Sequence, residues 1–296
     1  MDGCVRERFL IVDDFLPADE AGGMRADIEN HFANPGQHQP GTHQVWNYWH
    51  VPGSYTYLRT TPEKVVEQAK VARFVDTLRN WAADNLGLAA VTWPYLSLYV
   101  PGCLQGLHND STNGRLGYVF SLTRNDRMTI GGETVIVHDR DLFRTSLDKA
   151  QAGIDLFDLV DPRFNRLTLF DDRIPHAVQR IEGPMDPLEG RFVLHGHLSE
   201  AGVVARGDLS ADAVQERVSG AVEDLRASVG GGVRGPLVMS LQIDQYGRVG
   251  DIRPLLDRMV SDADLDNVRD AVTARLGAVR FPAMPEATRA NIPLIF

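Results

Sequence analysis

Between residues 95 and 198 the chain breaks into short runs, "YLSLYV", "LGYVFSL", "ETVIV", "RLTLF", "HAVQRI" and "RFVLHGHL", each bounded by turn residues. Runs of this length, rich in β-branched and aromatic residues, are strands, and their regular punctuation is that of an antiparallel sandwich or barrel. The flanks follow other rhythms. "RFLIVDDFL" (8–16) reads as an opening strand and "PADEAGGMRADIENHF" (17–32) as a helix. An irregular stretch rich in His, Trp, Tyr, Pro and Gly follows, to about residue 60. "TTPEKVVEQAKVARFVDTLRNWAADNLGL" (60–88) is the clearest helix, with Thr61 at its cap, Pro62 in its first turn and Gly87 at its stop. Segment 140–165 interrupts the strand series as a flap or a small helical insert.

Beyond about residue 205 the period changes again. "LSADAVQERVSGAVEDLRASV" and "DADLDNVRDAVTARLGAV" are helical, "PLVMSLQIDQYGRVGDIRPLL" is a hairpin turning at Gln245-Tyr246-Gly247, and "ANIPLIF" is a closing strand. These patterns divide the chain into residues 1–205, with a β core over about 93–200, and a small α+β domain over 206–296. A formal net charge of -10 argues against a broad grip on nucleic acid or an anionic membrane. Cys4 and Cys103 are too few for a disulfide framework. Charges stand where a signal peptide would carry its apolar core, so a cytoplasmic protein is expected.

The stretch "GLHNDSTNG" (106–114) sets His108 and Asp110 two apart. Such a pair is common enough to arise by chance, and alone it reads more readily as a polar turn. On a strand, however, residues i and i+2 face the same side. With a histidine from a second strand they would occupy one face of an octahedral metal and leave adjacent positions open, an arrangement suited to non-haem Fe(II) oxygen chemistry. His176 in "LFDDRIPHAVQRIEG" stands where a polar turn enters an apolar strand and is the candidate third ligand.

"LSLYVPGCLQGLHND", "GGETVIV", "NRLTLFDDRIPHAVQRI" and "GRFVLHGHL" occur in the order of the iron(II)/2-oxoglutarate-dependent dioxygenases, and the chain resembles the prolyl 4-hydroxylase-like branch over roughly 95–198. Tyr99, Gly102 and the Gly131–Thr134 step match that pattern. The resemblance implies a double-stranded β-helix (jelly-roll) core supported by N-terminal helices. It implies iron held by His108, Asp110 and His176, with 2-oxoglutarate and O₂ as cosubstrates. Arg191 would clamp the distal carboxylate of 2-oxoglutarate, because a guanidinium fork pairs two oxygens at once, and Tyr99 would hydrogen-bond to it or line its pocket. The carboxylate of Asp110 implies hydroxylation rather than halogenation, since halogenating relatives carry a small residue there. The substrate would be a small molecule or a peptidyl residue.

Two departures stand out. His176 and Arg191 are separated by a lengthened hairpin, "EGPMDPLEG", and Val193 replaces the serine or threonine that often assists the carboxylate. Rival readings stay open beside the resemblance. Arg180, four residues after His176, competes with Arg191 for the cosubstrate. His195 and His197 share a strand face as a second candidate pair or as pocket wall. Glu133 is structural, with Gly131 and Gly132 shaping a bend or bulge. Cys103 reads as a small buried residue. The aromatics of 43–60 form either a substrate wall or a packed loop, and His31, His38, His43 and His50 lack the companions of a metal site. A zinc-dependent cupin-like hydrolase and a non-catalytic jelly-roll module are the alternative functions. The tail carries a faint resemblance to TonB C-terminal-type domains, which leaves a homodimer through this domain, substrate capture or plain stabilisation open.

Overall fold

Strict alternation sorts the strand residues of this chain onto two faces, and the fold follows from what each face meets. A computed structural model describes residues 4–33, 45–111, 113–138, 156–229, 232–261 and 264–296. The chain forms two compact units, one of residues 8–77 and 92–197, the other of 1–7, 78–91 and 198–296. Its strands in chain order are β1 (Phe9–Val12), β2 (Asn47–Val51), β3 (Tyr55–Thr60), β4 (Ala90–Val91), β5 (Tyr95–Tyr99), β6 (Leu104–His108), β7 (Leu116–Ser121), β8 (Thr134–Val137), β9 (Phe157–Val160), β10 (Leu167–Asp171), β11 (His176–Val178) and β12 (Arg191–Ser199). Then come β13 (Val204–Arg206), β14 (Val233–Arg234), β15 (Pro236–Ile243), β16 (Val249–Asp257), β17 (Val260–Ser261) and β18 (Thr288–Ile295). The helices are α1 (Ala18–Ala33), α2 (Gln68–Leu86), α3 (Ala211–Val229) and α4 (Leu265–Ala278).

In the unit of 8–77 and 92–197 the hydrogen-bonded order is β1-β10-β7-β12-β5-β3-β6-β11-β8-β9, with β2 paired to β3. Strands β5 to β12 thus fall into two interleaved sets, β10-β7-β12-β5 and β6-β11-β8-β9, the strand order of a jelly roll. The ladders are antiparallel. Within the first set Leu96, Leu98, Phe120, Phe192 and Leu194 are buried. They are covered from one side: Phe120 stacks on Phe74 of α2 at 4.8 Å and Phe192 meets Phe32 of α1 at 6.0 Å. The alternate residues Ser97, Tyr99, Arg191, Val193 and His195 therefore turn to the opposite face. Several of these are polar, and there they line a cavity.

Four expectations change. The helix over 60–88 starts only at Gln68; Pro62–Lys64 is a separate 3-10 turn, and Thr61 gives it no side-chain cap. The cap of α2 comes from far away, because the Asp27 carboxylate accepts from the backbone N–H of Glu67 at 3.0 Å and also pairs with Lys70. The irregular stretch ends in the β2–β3 hairpin, whose second strand lies between β5 and β6 and so joins the two sets. In the interruption of 140–165, Phe157–Val160 is a strand on β8; residues 139–155 lie outside those described, as do His38 and His43. Finally, "HAVQRI" keeps strand geometry only to Val178.

Gly131 and Gly132 have φ of +82° and +81°, and a Cβ on Gly131 would lie 2.0 Å from the Arg180 carbonyl oxygen. Gly131→Ala is expected to lose about 2–3 kcal/mol of stability. Gly53, at φ +75° but with nothing within 4 Å of its Cβ position, is the control for backbone strain alone. Equal losses in urea unfolding of the two alanine variants would contradict the steric account.

In the other unit the sheet order is β13-β18-β15-β16. Val214 and Val218 of α3 and Val268, Val272 and Leu276 of α4 share a core with Leu237, Met239, Leu241, Ile292 and Leu294. Asp264 caps α4 through the Asp266 N–H. Segment 78–91 belongs to the same unit: Asn291 donates to the Ala83 carbonyl, Arg206 and Arg289 reach Asp84, and Gly87 approaches Val238 too closely for any Cβ. Among the described residues no helix is long and apolar enough to cross a membrane.

Candidate metal centre

Register brings the histidines together: His176 on β11 lies directly opposite His108 on β6. Two residues of β11, His176 and Val178, span three steps of β6, from His108 to Gln105. That bulge breaks the alternation of β6, exposes Leu107 and turns both Gln105 and His108 inward. Just past the strand, the Asp110 N–H donates to the Asp172 carbonyl at 2.9 Å, and the Asn113 N–H donates to the Asp110 carbonyl at 2.8 Å. The backbone here is the polar turn of one reading, while the Asp110 side chain takes the other. Its Oδ2 lies 3.4 Å from His176 Nε2 and 4.0 Å from His108 Nε2.

The donor atoms of His108, Asp110 and His176 all lie within 4.8 Å of one another. Adjacent ligands about 2.1 Å from a shared ion stand about 3 Å apart, so the cluster is close to ligation geometry. Each imidazole is also oriented. Nδ1 of His108 lies 2.9 Å from the Gly106 carbonyl, and Nδ1 of His176 lies 3.0 Å from the Ile174 carbonyl. A carbonyl only accepts, so Nδ1 carries the proton in both rings and both Nε2 atoms keep lone pairs for a metal. Burial, and then the neighbouring His176, lowers the His108 pKa.

Arg191 enters the same cavity from β12, opposite Tyr99 of β5. It is 2% exposed, and no carboxylate among the described residues lies within 4 Å of its guanidinium. Its Nη2 donates to Thr134 Oγ1 at 3.1 Å, its Cζ lies 5.0 Å from the centre of the Tyr99 ring, and its buried Nε has no partner. Burial lowers its pKa and raises that of the Tyr99 phenol. The phenol donates to Gln105 Oε1 at 2.9 Å, and the Gln105 amide lies 3.0 Å from His108 Nε2. One polar chain thus runs from the arginine's neighbour to the histidine pair.

Arg180 is excluded from this cavity. With β11 ending at Val178, alternation no longer holds two residues later, and Arg180 is 59% exposed and paired with Glu182 at 2.6 Å. Arg180→Ala is expected to change stability by less than about 1 kcal/mol, because an exposed pair contributes little; urea unfolding checks this. Where Val193 lacks a hydroxyl, Thr134 of β8 supplies one to Arg191 instead.

No family model matches the chain, and no curated protein matches it. Among solved structures, it is similar to a prolyl hydroxylase from Trichoplax adhaerens in complex with a hypoxia inducible factor oxygen degradation domain peptide fragment (TM-score 0.46, 16% identity, 64% of this chain and 82% of that one). It is similar to a Pseudomonas putida prolyl-4-hydroxylase (TM-score 0.46, 18% identity, 66% and 94%). A third is the non-haem alpha ketoglutarate dependent epimerase SnoN from nogalamycin biosynthesis (TM-score 0.47, 14% identity, 67% and 79%).

Sequence reasoning missed Gln105 and Thr134 as parts of the cavity wall, and Asp172 as the buried partner of the wall residue His197. Asp172 has a fully buried side chain, and its Oδ2 accepts from His197 Nδ1 at 3.0 Å while Oδ1 has no partner. Burial raises the Asp172 pKa, and Asp172 holds that of His197 above the ordinary value against the burial that lowers it. Asp110, Asp172 and His197 form a second cluster with metal-ligand spacing that shares Asp110 with the first. His195 is not part of it; burial and then Arg59 push its pKa down to about 3, and its Nε2 pairs with Ser97 Oγ. Only the paired Asp171-Asp172 in the sequence hinted at a buried acid; both are buried, and nothing local told that Asp172 is the one that meets His197.

Proposed function

We propose that this chain is an Fe(II)- and 2-oxoglutarate-dependent dioxygenase that hydroxylates an unactivated C–H bond of an amino-acid, peptidyl or natural-product substrate, with release of succinate and CO₂. The observation that carries the proposal is Arg191: a guanidinium buried in the cavity that also holds the His108–Asp110–His176 cluster, with no carboxylate among the described residues within 4 Å of it. A buried cation without a counter-charge costs several kcal/mol, and a ligand that supplies a carboxylate removes that cost. 2-Oxoglutarate brings one carboxylate for the arginine, and a second carboxylate with its adjacent ketone for a metal.

The donor set suits the metal. Two neutral imidazoles and one carboxylate are the ligands of non-haem Fe(II) oxygenases, and both imidazoles have the required Nε2 lone pair. When bound, iron supplies oxidation by O₂ coupled to decarboxylation of the cosubstrate. The chain's own residues bind and orient. His108, Asp110 and His176 would hold the metal, Arg191 with Thr134 would fix the distal carboxylate, and Tyr99 with Gln105 would line the space between. A zinc hydrolase would use the same three ligands but leave Arg191 uncompensated. A non-catalytic module would need neither the metal cluster nor the arginine.

The test is anaerobic addition of Fe(II) and then 2-oxoglutarate, followed by visible absorption. A weak charge-transfer band that appears only with both supports the reading. Absence of the band together with tight Zn²⁺ binding would replace it with the hydrolase.

A further inference from the structure

Arg59 is a second guanidinium in the same cavity, and the proposed chemistry does not use it. It stands on β3 opposite Ser97 of β5, on the face that Tyr57 shares. Its Cζ lies 4.6 Å from the centre of the Tyr95 ring, 5.0 Å from that of Trp49 and 5.1 Å from that of Tyr57. Nη2 donates to the Tyr57 hydroxyl at 2.7 Å, and the buried Nε has no hydrogen-bond partner. No carboxylate among the described residues lies within 4 Å of it. Three rings therefore hold this cation in one place. Ring faces attract a cation but carry no charge to neutralise it.

A guanidinium that is held still, part-buried and short of an anion is prepared for two-point recognition of a carboxylate. The cavity measures about 550 Å³, within the range that takes a drug-sized ligand and larger than a five-carbon diacid fills. Trp93 and Tyr95, each about half exposed at 43% and 49%, line the same cavity and offer an apolar wall. The cavity thus presents two arginines, Arg191 and Arg59, of which the cosubstrate takes one.

We propose that the primary substrate is itself a carboxylic acid with an apolar body, its carboxylate held by Arg59 and its body against Trp93 and Tyr95. This inference rests on the dioxygenase reading in one respect, that Arg191 belongs to 2-oxoglutarate. It narrows the substrate class: a free acid, or a residue presenting a carboxylate, is favoured over a neutral peptide segment.

The probes are phenylacetate, hexanoate, leucine and N-acetylphenylalanine, each titrated against its primary amide into the full-length protein with Mn(II) and saturating 2-oxoglutarate. Wild type is read first, so a misfolded variant cannot shelter the proposal. At least one acid is expected to bind about tenfold or more tightly than its amide, the increment of a charge-assisted pair. That preference should fall to within about twofold in Arg59→Gln and persist in Arg59→Lys, with 2-oxoglutarate affinity unchanged in both. No acid preferred over its amide in wild type overturns the proposal, as does a preference that survives in Arg59→Gln. Loss of 2-oxoglutarate binding in Arg59→Gln also overturns it, by giving Arg59 to the cosubstrate. If 2-oxoglutarate does not bind wild type, the dioxygenase reading fails by that measurement alone. The acid–amide comparison without additions then still decides what Arg59 does.

Discussion

Replacing His176 with alanine is expected to lower the affinity for a divalent metal by at least 100-fold, roughly the upper end of what even an outer partner of a metal ligand contributes. His176 is the pivot of the cluster: its Nε2 is the imidazole atom nearer to Asp110, and its ring packs 4.3 Å from His108 and 4.4 Å from Phe170. The side chain is buried, so truncation also costs about 1–3 kcal/mol of stability, and metal affinity must be measured at a temperature where the variant is folded. Titration with Mn(II) or Zn(II) gives the answer, and the visible band with Fe(II) and 2-oxoglutarate should vanish with it. Wild-type affinity in His176→Ala would sink the assignment. If affinity is instead lost in His197→Ala, the ion belongs to the Asp110–Asp172–His197 cluster.

The second large effect has two opposite signs. Arg191→Met is expected to weaken 2-oxoglutarate binding by about 30- to 5000-fold, since removing one partner of a buried charge pair costs about 2–5 kcal/mol. The unliganded protein should lose no stability and is expected to gain some. Among the described residues wild-type Arg191, a buried cation, meets the Thr134 hydroxyl and the ring and phenol of Tyr99, with no carboxylate within 4 Å. An apolar side chain of similar length removes that uncompensated charge, and such replacements are often neutral or stabilising by about 1–4 kcal/mol. Thermal unfolding separates the two signs. At a hundredfold excess over its Kd the cosubstrate should stabilise wild type by about 2.7 kcal/mol and the variant hardly at all. A destabilised Arg191→Met that still binds 2-oxoglutarate would make the arginine structural and remove the support for the proposed function.

Much of the candidate site is legible in the residues themselves. His108 and Asp110 stand two apart, although the turn past β6 rather than strand alternation brings the Asp110 carboxylate to the histidines, and the one-residue rhythm of "RFVLHGHL" sends Arg191, Val193 and His195 to one face while Phe192 and Leu194 take the other. Signals in the tail hold as well: α4 lies within the segment read as helical, and the hairpin turns where Gly247 has φ +75°. These features are local, decided by alternation, capping and backbone freedom within a few residues.

Start signals proved legible but ambiguous. Thr61 and Pro62 do begin a helix, yet only one 3-10 turn, because the donor group that starts α2 is satisfied by Asp27 from another helix. Arg180 stays a rival to the favoured Arg191 in the sequence, and of the two it is Arg191 that reaches the cavity, because β11 ends at Val178. Nothing near Gln105 announces the bulge that turns it inward, and nothing near Arg59 places it on a strand between β5 and β6.

The amino-acid sequence by itself determined most core strands and the helices of the tail, though not the β2–β3 hairpin or the start of α2, because those choices are made mainly by interactions spanning two to four residues. Only the tertiary structure decided which strands became neighbours, so only it set Thr134 against Arg191, Asp172 against His197 and Arg59 above the same cavity. Strand pairing joins segments tens of residues apart through backbone groups that every residue carries alike, and the side chains that meet across such pairs leave no mark on the local pattern.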